Sequence, residues 1–349
     1  MNERAIVLAV DVHDRTHPIA AELAEFEALI EAAGARVVER IVQKRERVDP
    51  ATLIGSGKVL EVADRIRETD AQLLFVLNEL RPRQRRNLDR VIKVPIVDRT
   101  MLILDVFAQH ARTREGKLQV ELAQLKYRQS NLAGIGADLS RLGGGIGTRG
   151  PGETKLETDR RRIAQRIKLL SSAVEDVRRS RATRRAHRRN GPLVALVGYT
   201  NVGKSSLLNR LARSDAFVAD QPFATLDPTM RQVYLAPGVF VRVVDTVGFI
   251  SELPADLIAA FRATLEELDD ADLLLHVLDA SNPDWPRQQE SVNAILHDLK
   301  LDGKPRMTVF NKCDAAAAEP LDSLPALCVS AKTGAGLEAL RGELAQRFS

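Results

Sequence analysis

Cysteine is scarce in this chain, which has only Cys313 and Cys328 in 349 residues. Two cysteines this close together cannot form the disulfide framework of a small secreted protein, and they fit a reducing compartment. A signal peptide is also missing, because Met1-Asn2-Glu3-Arg4 lacks the cationic and apolar pattern of such a segment. No apolar run approaches the roughly 20 residues that cross a bilayer. We therefore expect a soluble, cytoplasmic protein without integral membrane contact.

Charge is unevenly distributed along the sequence. Residues 191–349 contain 14 Lys and Arg against 21 Asp and Glu, a net charge of −7, whereas residues 1–190 contain 37 against 26, a net charge of +11. A basic front half indicates a polyanionic partner, most simply nucleic acid. The length allows two or three domains, each with its own core.

Residues 1–112 alternate between strand and helix patterns. Strands are predicted at residues 5–10, 36–42, 72–77 and 94–97, and helices at 18–33, 58–68 and 82–91. Repeated strand and helix units predict a parallel sheet covered by helices.

Two features of this first domain have a possible function. The segment Gly55-Ser56-Gly57-Lys58 resembles a phosphate loop and is one candidate for a nucleotide site. However, Val59 stands where a magnesium-binding hydroxyl belongs, so a tight turn before a helix is the alternative. Arg81-Pro82-Arg83-Gln84-Arg85-Arg86 lies at a helix start, where cations are disfavoured. This basic cluster therefore either binds an external anion or is simply solvated.

Residues 113–190 have the spacing of two coiled-coil seams. The seam positions are Leu118, Leu122 and Leu125, and then Ile163, Ile167, Leu170, Val174 and Val177. Between the seams, residues 134–152 contain eight glycines. The pattern predicts an antiparallel helical hairpin with a flexible basic tip, whose second arm of about 24 residues would reach roughly 35 Å. The alternative is a structural linker with a disordered loop.

Basic residues of the hairpin point to RNA. Glycines let a backbone approach a ligand closely, and arginines pair with phosphate. Residues 178–189 contain seven arginines and no acid, whereas a solvated helix face normally interleaves acids. We predict contact with an RNA backbone. The predicted RNA-binding residues are Arg141, Arg149, Lys155, Arg178, Arg179, Arg184 and Arg185.

Residues 193–208 carry a phosphate-binding pattern. An apolar strand, 193–197, leads into G-x-x-x-x-G-K-S, which ends at Lys204-Ser205 before a helix-like run. In this context backbone N–H groups hold phosphates, and the lysine reaches the β- and γ-phosphates. A glycine turn without function would not need the Lys-Ser pair. The predicted phosphate-loop residues are Gly198, Tyr199, Thr200, Asn201, Val202, Gly203, Lys204, Ser205 and Ser206.

Three further boxes follow in order at the ends of apolar strands. Asp245-Thr246-Val247-Gly248 provides a carboxylate for magnesium and a glycine N–H near the γ-phosphate. In Asn311-Lys312-Cys313-Asp314 the Asp314 carboxylate can accept both N1–H and the 2-amino group of guanine, and the Lys312 stem can lie on the ring. Ser330-Ala331-Lys332 then supplies an N–H for the guanine O6. The wrong base would leave polar groups unpaired.

The whole pattern predicts an α/β protein that binds GTP and GDP and hydrolyses GTP. Its predicted parts are an N-terminal parallel α/β domain (1–112), an antiparallel helical hairpin (113–190) and a C-terminal P-loop GTPase domain (191–349). Asp220–Met230 is the expected γ-phosphate-sensing loop, in which Thr225 and Thr229 both offer a hydroxyl for Mg²⁺.

Three segments give the chain a specific family resemblance. Residues 223–229 (FATLDPT), 245–249 (DTVGF) and 147–158 (GTRGPGETKLET) resemble the HflX family of ribosome-associated GTPases, and the likeness covers essentially the whole chain. The resemblance implies Thr225 rather than Thr229 as the magnesium-binding threonine, beside Ser205 and Asp245, with Phe223 and Ala224 near the nucleotide. It also implies a chain, expected to be monomeric, that binds the large (50S) ribosomal subunit, reaches rRNA with the hairpin and separates stalled or idle ribosomes.

The catalytic pattern has a gap. Ras-like enzymes orient the attacking water with a glutamine directly after D-x-x-G. This chain has Phe249 there, which cannot hydrogen-bond water. The simplest alternative role for Phe249 is packing against the sheet, and in either case no glutamine is present to orient the water. We therefore expect slow intrinsic hydrolysis. Asn201 matches the asparagine that helps hold potassium in TrmE-like GTPases, so K⁺ is expected to accelerate turnover, and a ribosomal surface is a second source of stimulation. The expected catalytic residues are Asn201, Lys204, Thr225 and Gly248.

Two other functions compete with this interpretation. An RNA remodeller with a second, N-terminal nucleotide site would lose ATP use on mutation of Lys58 and keep GTP use. A GTP-sensing regulator of a protein partner would show no salt-dependent RNA affinity in residues 113–190, in contrast to the steep dependence that many arginine–phosphate contacts give.

Overall fold

The computed structural model describes residues 3–12, 19–142, 151–186, 191–213, 222–223, 229–251, 268–315 and 326–349. Within these ranges it describes the side chains of all residues except 133–142, 151–156, 178 and 180–186. The chain divides into two compact units. The first consists of Met1–Gln109 with Leu118–Val174, and the second of His110–Lys117 with Glu175–Ser349.

The first unit contains the predicted parallel sheet. Its strands are β1 (Glu3–Val12), β2 (Ala35–Arg45), β3 (Leu73–Val76) and β4 (Ile96–Asp98), in the order β2-β1-β3-β4. All three pairings are parallel. The apolar run Ala5–Val10 is fully buried, as expected for a parallel strand covered on both faces. The helices of this α/β fold are α1 (Ile19–Ala32), α2 (Ser56–Thr69), α3 (Pro82–Val91) and α4 (Arg99–His110).

Helix α4 is an element that the sequence analysis missed. It follows β4 directly, and it buries Leu102, Ile103, Val106 and Phe107. The sequence lacks a helical period in this segment. Met101–Val106 is apolar at nearly every position, and a short apolar run does not distinguish a buried helix from a strand.

The helical hairpin is formed by α5 (Arg114–Leu142) and α6 (Pro151–Ala186). Arg166 Nε donates to Glu121 Oε1 at 2.8 Å, and further along the arms Arg160 donates to the carbonyl of Leu132. As α5 advances from 121 to 132, its partner in α6 retreats from 166 to 160, so the arms are antiparallel. The five seam positions of α6, residues 163, 167, 170, 174 and 177, are all buried or half-buried.

Both arms extend further into the glycine-rich segment than predicted. Helix α5 continues to Leu142 and α6 begins at Pro151, which leaves only residues 143–150 of the predicted 134–152 tip outside helices and outside the described residues. Leucine and alanine between residues 137 and 142 favour helix, and proline is well placed at a first helical turn. At 36 residues, α6 is also longer than expected, about 54 Å.

The second unit contains a six-stranded sheet. Its strands are β5 (Leu193–Gly198), β6 (Thr229–Ala236), β7 (Val239–Asp245), β8 (Leu273–Asp279), β9 (Arg306–Asn311) and β10 (Leu327–Cys328), in the order β10-β9-β8-β5-β7-β6. Only β6 is antiparallel to its neighbour. Helices α7 (Lys204–Leu211), α8 (Trp285–Asp298) and α9 (Leu337–Phe348) belong to this unit. The carboxyl ends of β5, β7 and β9 meet at one edge, where α/β sheets bind ligands.

Among the helices that the structure describes, none combines the length and apolar character needed to cross a membrane.

Candidate nucleotide-binding site

The predicted phosphate loop connects β5 to α7 and depends on glycine for its shape. Gly203 has φ 90° and is the residue before α7. A side chain there would overlap the amide of Asn311, so glycine alone fits both the backbone and the space. Asn201, at φ 60°, lies in the left-handed region that asparagine tolerates better than most residues.

Lys204 is buried beneath this loop. Its Nζ donates to the carbonyls of Tyr199 (2.8 Å) and Gly198 (3.1 Å). Burial lowers the pKa of Lys204 to about 8, although the nearby Asp245 carboxylate acts in the opposite direction. An anion close to Nζ would restore the stability of the ammonium form. The lysine therefore lies where a phosphate group would be stabilised.

Ser205 and Asp245 lie side by side at the end of the loop. Ser205 Oγ donates to Asp245 Oδ2 at 2.5 Å, and Asp245 is 1% exposed. A hydroxyl and a carboxylate are hard oxygen ligands of the kind that Mg²⁺ takes beside substrate phosphates. These two residues thus fit two of the three predicted magnesium positions, and Thr225, the third, falls outside the described residues.

The segment after Asp245 is attached to the phosphate loop by its backbone. Phe249 N donates to Gly198 O at 3.1 Å, and Thr200 N donates to Phe249 O at 2.7 Å. A side chain on Gly248 would come within 2.8 Å of Thr200 Cα and 3.1 Å of Lys204 Nζ. Glycine at 248 therefore lets the two motifs approach each other.

Thr246 and Phe249 have structural contacts in this arrangement. Thr246 Oγ1 donates to Leu196 O at 2.6 Å. The Phe249 side chain is 1% exposed, so of the two interpretations of this position the structure favours packing. No hydrogen-bonding group of Phe249 is available to hold an attacking water.

A contact between Tyr199 and Ser251 adds a link that the sequence did not indicate. Ser251 N donates to Tyr199 Oη at 2.6 Å, and the two hydroxyl oxygens lie 2.7 Å apart. Both residues are buried. Their separation of 52 positions leaves no local pattern from which the pairing could be predicted.

Asn311 joins the predicted guanine boxes to the phosphate loop. Its Nδ2 donates to Val202 O at 2.8 Å, and its Oδ1 accepts the Ala331 N–H at 2.9 Å. Both amide atoms are buried and used. Asn311 therefore holds two motifs at a fixed separation.

Asp314 is oriented by the third box. Ser330 Oγ donates to Asp314 Oδ1 at 2.6 Å, and this bond, with the charges of Lys332 and Lys312, lowers the pKa of Asp314. The carboxylate is ionised at neutral pH and can accept two donors from one base edge.

Lys312 is positioned by a residue outside every predicted box. Its Nζ pairs with Asp279 Oδ2 at 2.7 Å, while Asp279 Oδ1 accepts the N–H and hydroxyl of Ser281. Lys312 has φ 62°, so the residue is held by its surroundings in an uncommon conformation. The position of Asp279 at a strand end was the one available signal.

The predicted γ-phosphate-sensing loop is described only in part. Phe223 is buried and has φ 58°, whereas Ala224 and Thr225 fall outside the described residues. Thr229 is the first residue of β6.

The predicted RNA-binding residues are described even less completely. Arg149 lies in the undescribed segment, and the side chains of Arg141, Lys155, Arg178, Arg184 and Arg185 lie outside the description as well. Arg179 is exposed, and its Nε lies 3.5 Å from Glu175 Oε1. Among the described side chains of the arginine-rich arm, Arg179 therefore has an acidic neighbour in the preceding helical turn.

Members of the two N-terminal features make local contacts in the structure. Gly55 N donates to Gln43 Oε1 at 3.2 Å, and Lys58 Nζ pairs with Glu61 Oε1 at 2.6 Å on the surface of α2. Within the basic cluster, Arg85 Nη2 donates to Asp98 Oδ2 at 2.6 Å. Arg85 thus serves the fold, and it is not available to an external anion.

Three family models match successive parts of the chain. They are described as GTP-binding GTPase N-terminal (residues 20–108), GTP-binding GTPase Middle Region (110–188) and 50S ribosome-binding GTPase (193–312). Their order is that of the two α/β parts and the hairpin between them.

Relatives cover almost the entire chain. GTPase HflX of Lacrimispora saccharolytica is 49% identical over 346 residues, which cover 97% of this chain and 82% of the relative. GTPase HflX of Escherichia coli is 44% identical over 337 residues, which cover 94% and 79%. This chain belongs to the HflX family of GTPases. GTP hydrolysis is therefore its activity, and the matched model associates its GTPase domain with the large ribosomal subunit.

Solved structures agree with the fold of this HflX-family chain. SsGBP in complex with GDP has a TM-score of 0.56 at 24% identity and covers 99% of this chain and 98% of its own. A GTP-binding protein from Sulfolobus solfataricus in complex with GDP has a TM-score of 0.51 at 24% identity and covers 99% and 100%. At this identity the likeness concerns the fold alone.

Proposed function

We propose that this HflX-family GTPase binds the large ribosomal subunit in its GTP state and separates idle or stalled ribosomes into subunits in the cytoplasm. The observation that carries the proposal is the match of residues 193–312 to the 50S ribosome-binding GTPase model. The net charge of +11 in residues 1–190 supports it, because ribosomal surfaces are rich in phosphate.

The nucleotide roles are part of the proposal. Lys204 and the amides of residues 201–206 bind the phosphates, and Ser205, Thr225 and Asp245 hold Mg²⁺, which neutralises phosphate charge when bound. The contacts that support these roles are the burial of Lys204 and the 2.5 Å pair of Ser205 and Asp245. Asn311, Asp314 and Lys332 select guanine, with Asp314 ionised and oriented by Ser330.

The switch is proposed to operate through the phosphate loop. A Cβ on Gly248 would lie 3.1 Å from Lys204 Nζ, and the next residue, Phe249, is hydrogen-bonded to Gly198 and Thr200 through its backbone. A γ-phosphate that moves Gly248 therefore also acts on this attachment. In the GTP state the loop around Thr225 is ordered and favours ribosome binding. Binding energy then drives subunit separation, and hydrolysis permits release.

RNA contact is assigned to the hairpin. Arg141, Arg149 and Lys155 near its tip, and Arg178, Arg179, Arg184 and Arg185 in its second arm, are proposed to meet the rRNA backbone. The antiparallel packing of the two arms and the length of α6 support this assignment. A monomer is sufficient for this mode of binding.

Stimulation of hydrolysis is proposed to need K⁺ and the ribosome. Phe249 is buried and offers no water ligand, so the missing catalytic charge comes from elsewhere. Asn201 is exposed on the loop, and its proposed role is to contribute to a K⁺ site. We expect GTP turnover to be faster in KCl than in NaCl, because a supplied catalytic cation is typically worth about 10³- to 10⁵-fold in rate. Equal rates in the two salts, with Asn201→Ala as the matched control, would remove K⁺ from the mechanism.

The proposal is tested by sedimentation of the full chain with ribosomes. Large subunits should retain the protein with a non-hydrolysable GTP analogue and release it with GDP or no nucleotide. The same analogue should convert intact ribosomes into subunits on sucrose gradients, at least for one round. Retention that is independent of nucleotide would contradict the switch.

A regulator that binds a protein partner instead of RNA should give a different result in the same sedimentation assay. Its retention would not depend on salt, whereas binding through many arginine–phosphate contacts should weaken by orders of magnitude between 50 and 200 mM salt.

A further inference from the structure

Arg210 links the phosphate-loop helix to the segment Ser330–Lys332. Its Nε donates to Ala331 O at 2.9 Å, and its Nη2 donates to Lys332 O at 2.6 Å. The planar guanidinium presents these donors at a fixed angle. One side chain of α7 therefore sets the direction of two successive carbonyls in a loop 121 and 122 positions away.

Peptide geometry converts this anchoring into a direction for an N–H group. In a trans peptide the Ala331 carbonyl and the Lys332 N–H point in opposite directions, and the described chain contains no cis peptide. Because the Ala331 carbonyl faces Arg210, the Lys332 N–H faces away from it. The Ala331 N–H, in contrast, donates to Asn311 Oδ1 at 2.9 Å. Lys332 thus provides the amide whose direction Arg210 controls.

We propose that Arg210 is a positioning residue for base selection, which aims the Lys332 N–H at the 6-oxygen of guanine. The inference rests on the assignment of Ser330–Lys332 to the guanine site in the proposed function. It assigns the reading of O6 to Lys332 rather than to Ala331, and it makes base selectivity depend on the phosphate-loop helix.

The other half of the guanine site has separate supports. Asp314 is held by Ser330 Oγ at 2.6 Å, and Lys312 by Asp279 at 2.7 Å. Neither contact involves Arg210. Loss of the Arg210 side chain should therefore loosen the recognition of O6 and leave the recognition of the 2-amino group by Asp314 unchanged.

Base analogues separate these two readings. The full chain and its Arg210→Ala and Arg210→Lys variants would be titrated with GDP, inosine diphosphate and 2-aminopurine riboside diphosphate, in competition with a fluorescent GDP. Inosine lacks only the 2-amino group. 2-Aminopurine lacks the 6-oxygen and also the N1–H that Asp314 accepts, but this second loss is the same in every variant and cancels when the ratios of wild type and variant are compared. For Arg210→Ala we expect about tenfold weaker GDP binding, the scale of one lost hydrogen bond.

The ratios decide between positioning and simple loss of structure. The preference for GDP over the 2-aminopurine nucleotide should fall by about tenfold in Arg210→Ala, and the preference for GDP over inosine diphosphate should stay unchanged. Arg210→Lys should lie between wild type and Arg210→Ala, because an ammonium lacks the fork that reaches both carbonyls. If Arg210→Ala does not fold, the ratios measured with Arg210→Lys are sufficient to test the proposal.

Arg341 provides a matched control. It is buried in α9 and also donates to two carbonyls, Leu211 O in α7 at 2.7 Å and Tyr234 O in β6 at 3.2 Å, neither of which belongs to the segment Ser330–Lys332. Arg341→Ala should lower thermal stability and change neither ratio. Arg347→Ala, at an exposed position of the same helix, is the second control for the loss of a cation.

Two results would overturn the proposal. One is that Arg210→Ala weakens all three diphosphates equally, and the other is that it changes none of them. Failure of the guanine site itself is distinguishable, because the wild-type chain would then not prefer GDP over the 2-aminopurine nucleotide.

Discussion

Each unit of this chain buries a charge near the carboxyl end of a parallel strand, and the two charges are satisfied differently. Asp98, at the end of β4, is fully buried, pairs with Arg85 at 2.6 Å, contacts the Tyr127 hydroxyl and accepts the Met101 N–H at 3.0 Å. Burial and this carboxylate raise the pKa of Tyr127. Lys204 is buried to a similar degree, yet its Nζ donates to two neutral carbonyls.

The difference distinguishes a structural charge from a ligand-binding one. The Asp98 cluster supplies its own counter-charge, so nothing external is needed. Lys204 has two carbonyl dipoles as direct partners and the Asp245 carboxylate nearby, and burial still lowers its pKa to about 8. A buried cation with a lowered pKa at a strand edge is a candidate for binding an anion.

A substitution in the Asp98 cluster should give the largest effect on stability. Asp98→Asn leaves the Arg85 charge uncompensated, which costs about 3 kcal/mol. Hydrogen exchange of β1, β3 and β4, followed by mass spectrometry, should show the corresponding loss of protection, with GDP affinity unchanged. Glu121→Gln breaks an exposed pair with Arg166 and should cost under about 1 kcal/mol. Equal protection in wild type and Asp98→Asn would refute a structural role for the cluster.

Removal of the second charge should affect binding. Lys204→Ala should weaken GDP binding about 100-fold, because charge-assisted bonds to phosphate contribute about 1.5–3 kcal/mol each. Lys58→Ala is the matched control, since this lysine follows a similar Gly-x-Gly motif but pairs with Glu61 at the surface. Fluorescence titration should find GDP affinity within about twofold of wild type for Lys58→Ala. Loss of ATP turnover in Lys58→Ala would instead favour a second nucleotide site.

The pH dependence should sharpen the same contrast. Lys204 must be protonated to bind phosphate, and half of it is deprotonated near pH 8 in the free protein. GDP affinity should fall about tenfold between pH 7 and 9 as binding becomes coupled to proton uptake. Stability without nucleotide should change in the opposite direction and rise with pH. Because the folded-state pKa of Lys204 is lowered, its contribution to stability is complete only above the pKa of the unfolded chain, and it is lost as pH falls through 8. A flat affinity profile would mean that the ammonium is not a phosphate ligand.

His276 should give the smallest effect. It lies in β8 at 1% exposure, and neither ring nitrogen has a hydrogen-bond partner among the described residues. Burial, together with Arg306 and Lys204, lowers the pKa of His276 to about 4. His276→Leu should stabilise the GTPase unit by about 1 kcal/mol at pH 7.

The dependence of stability on pH below 6.5 distinguishes titration of His276 from a simple change in packing. Because the folded-state pKa of His276 is lowered, the unfolded chain binds a proton more readily, and the protein with His276 loses stability as pH falls from 6.5 towards 4. The His276→Leu variant should lose less stability over this interval in thermal unfolding scans. Identical pH profiles for the two proteins would show that His276 does not titrate in this range.

The local patterns of the sequence were sufficient for much of the architecture. The α3 boundaries, Pro82–Val91, were predicted correctly, and the parallel fold and the GTPase boxes followed from apolar strands that end in glycine, asparagine or aspartate. Each of these signals is contained within about ten residues, so it can be read without knowledge of what packs against it. Helix α4 and the far ends of the hairpin arms were not predictable, because their sequences are ambiguous at that range.

The sequence by itself thus determined the family, the order of the motifs and the residues proposed to bind phosphate and guanine. Only the tertiary structure decided which side chains hold those motifs: Asp279 beside Lys312, Tyr199 against Ser251, and Arg210 across to Ala331 and Lys332. It also decided that Arg85 belongs to the fold and Phe249 to the core. The reason is physical: these contacts join residues far apart in the chain, and their geometry exists only after the strands have found their register and packed.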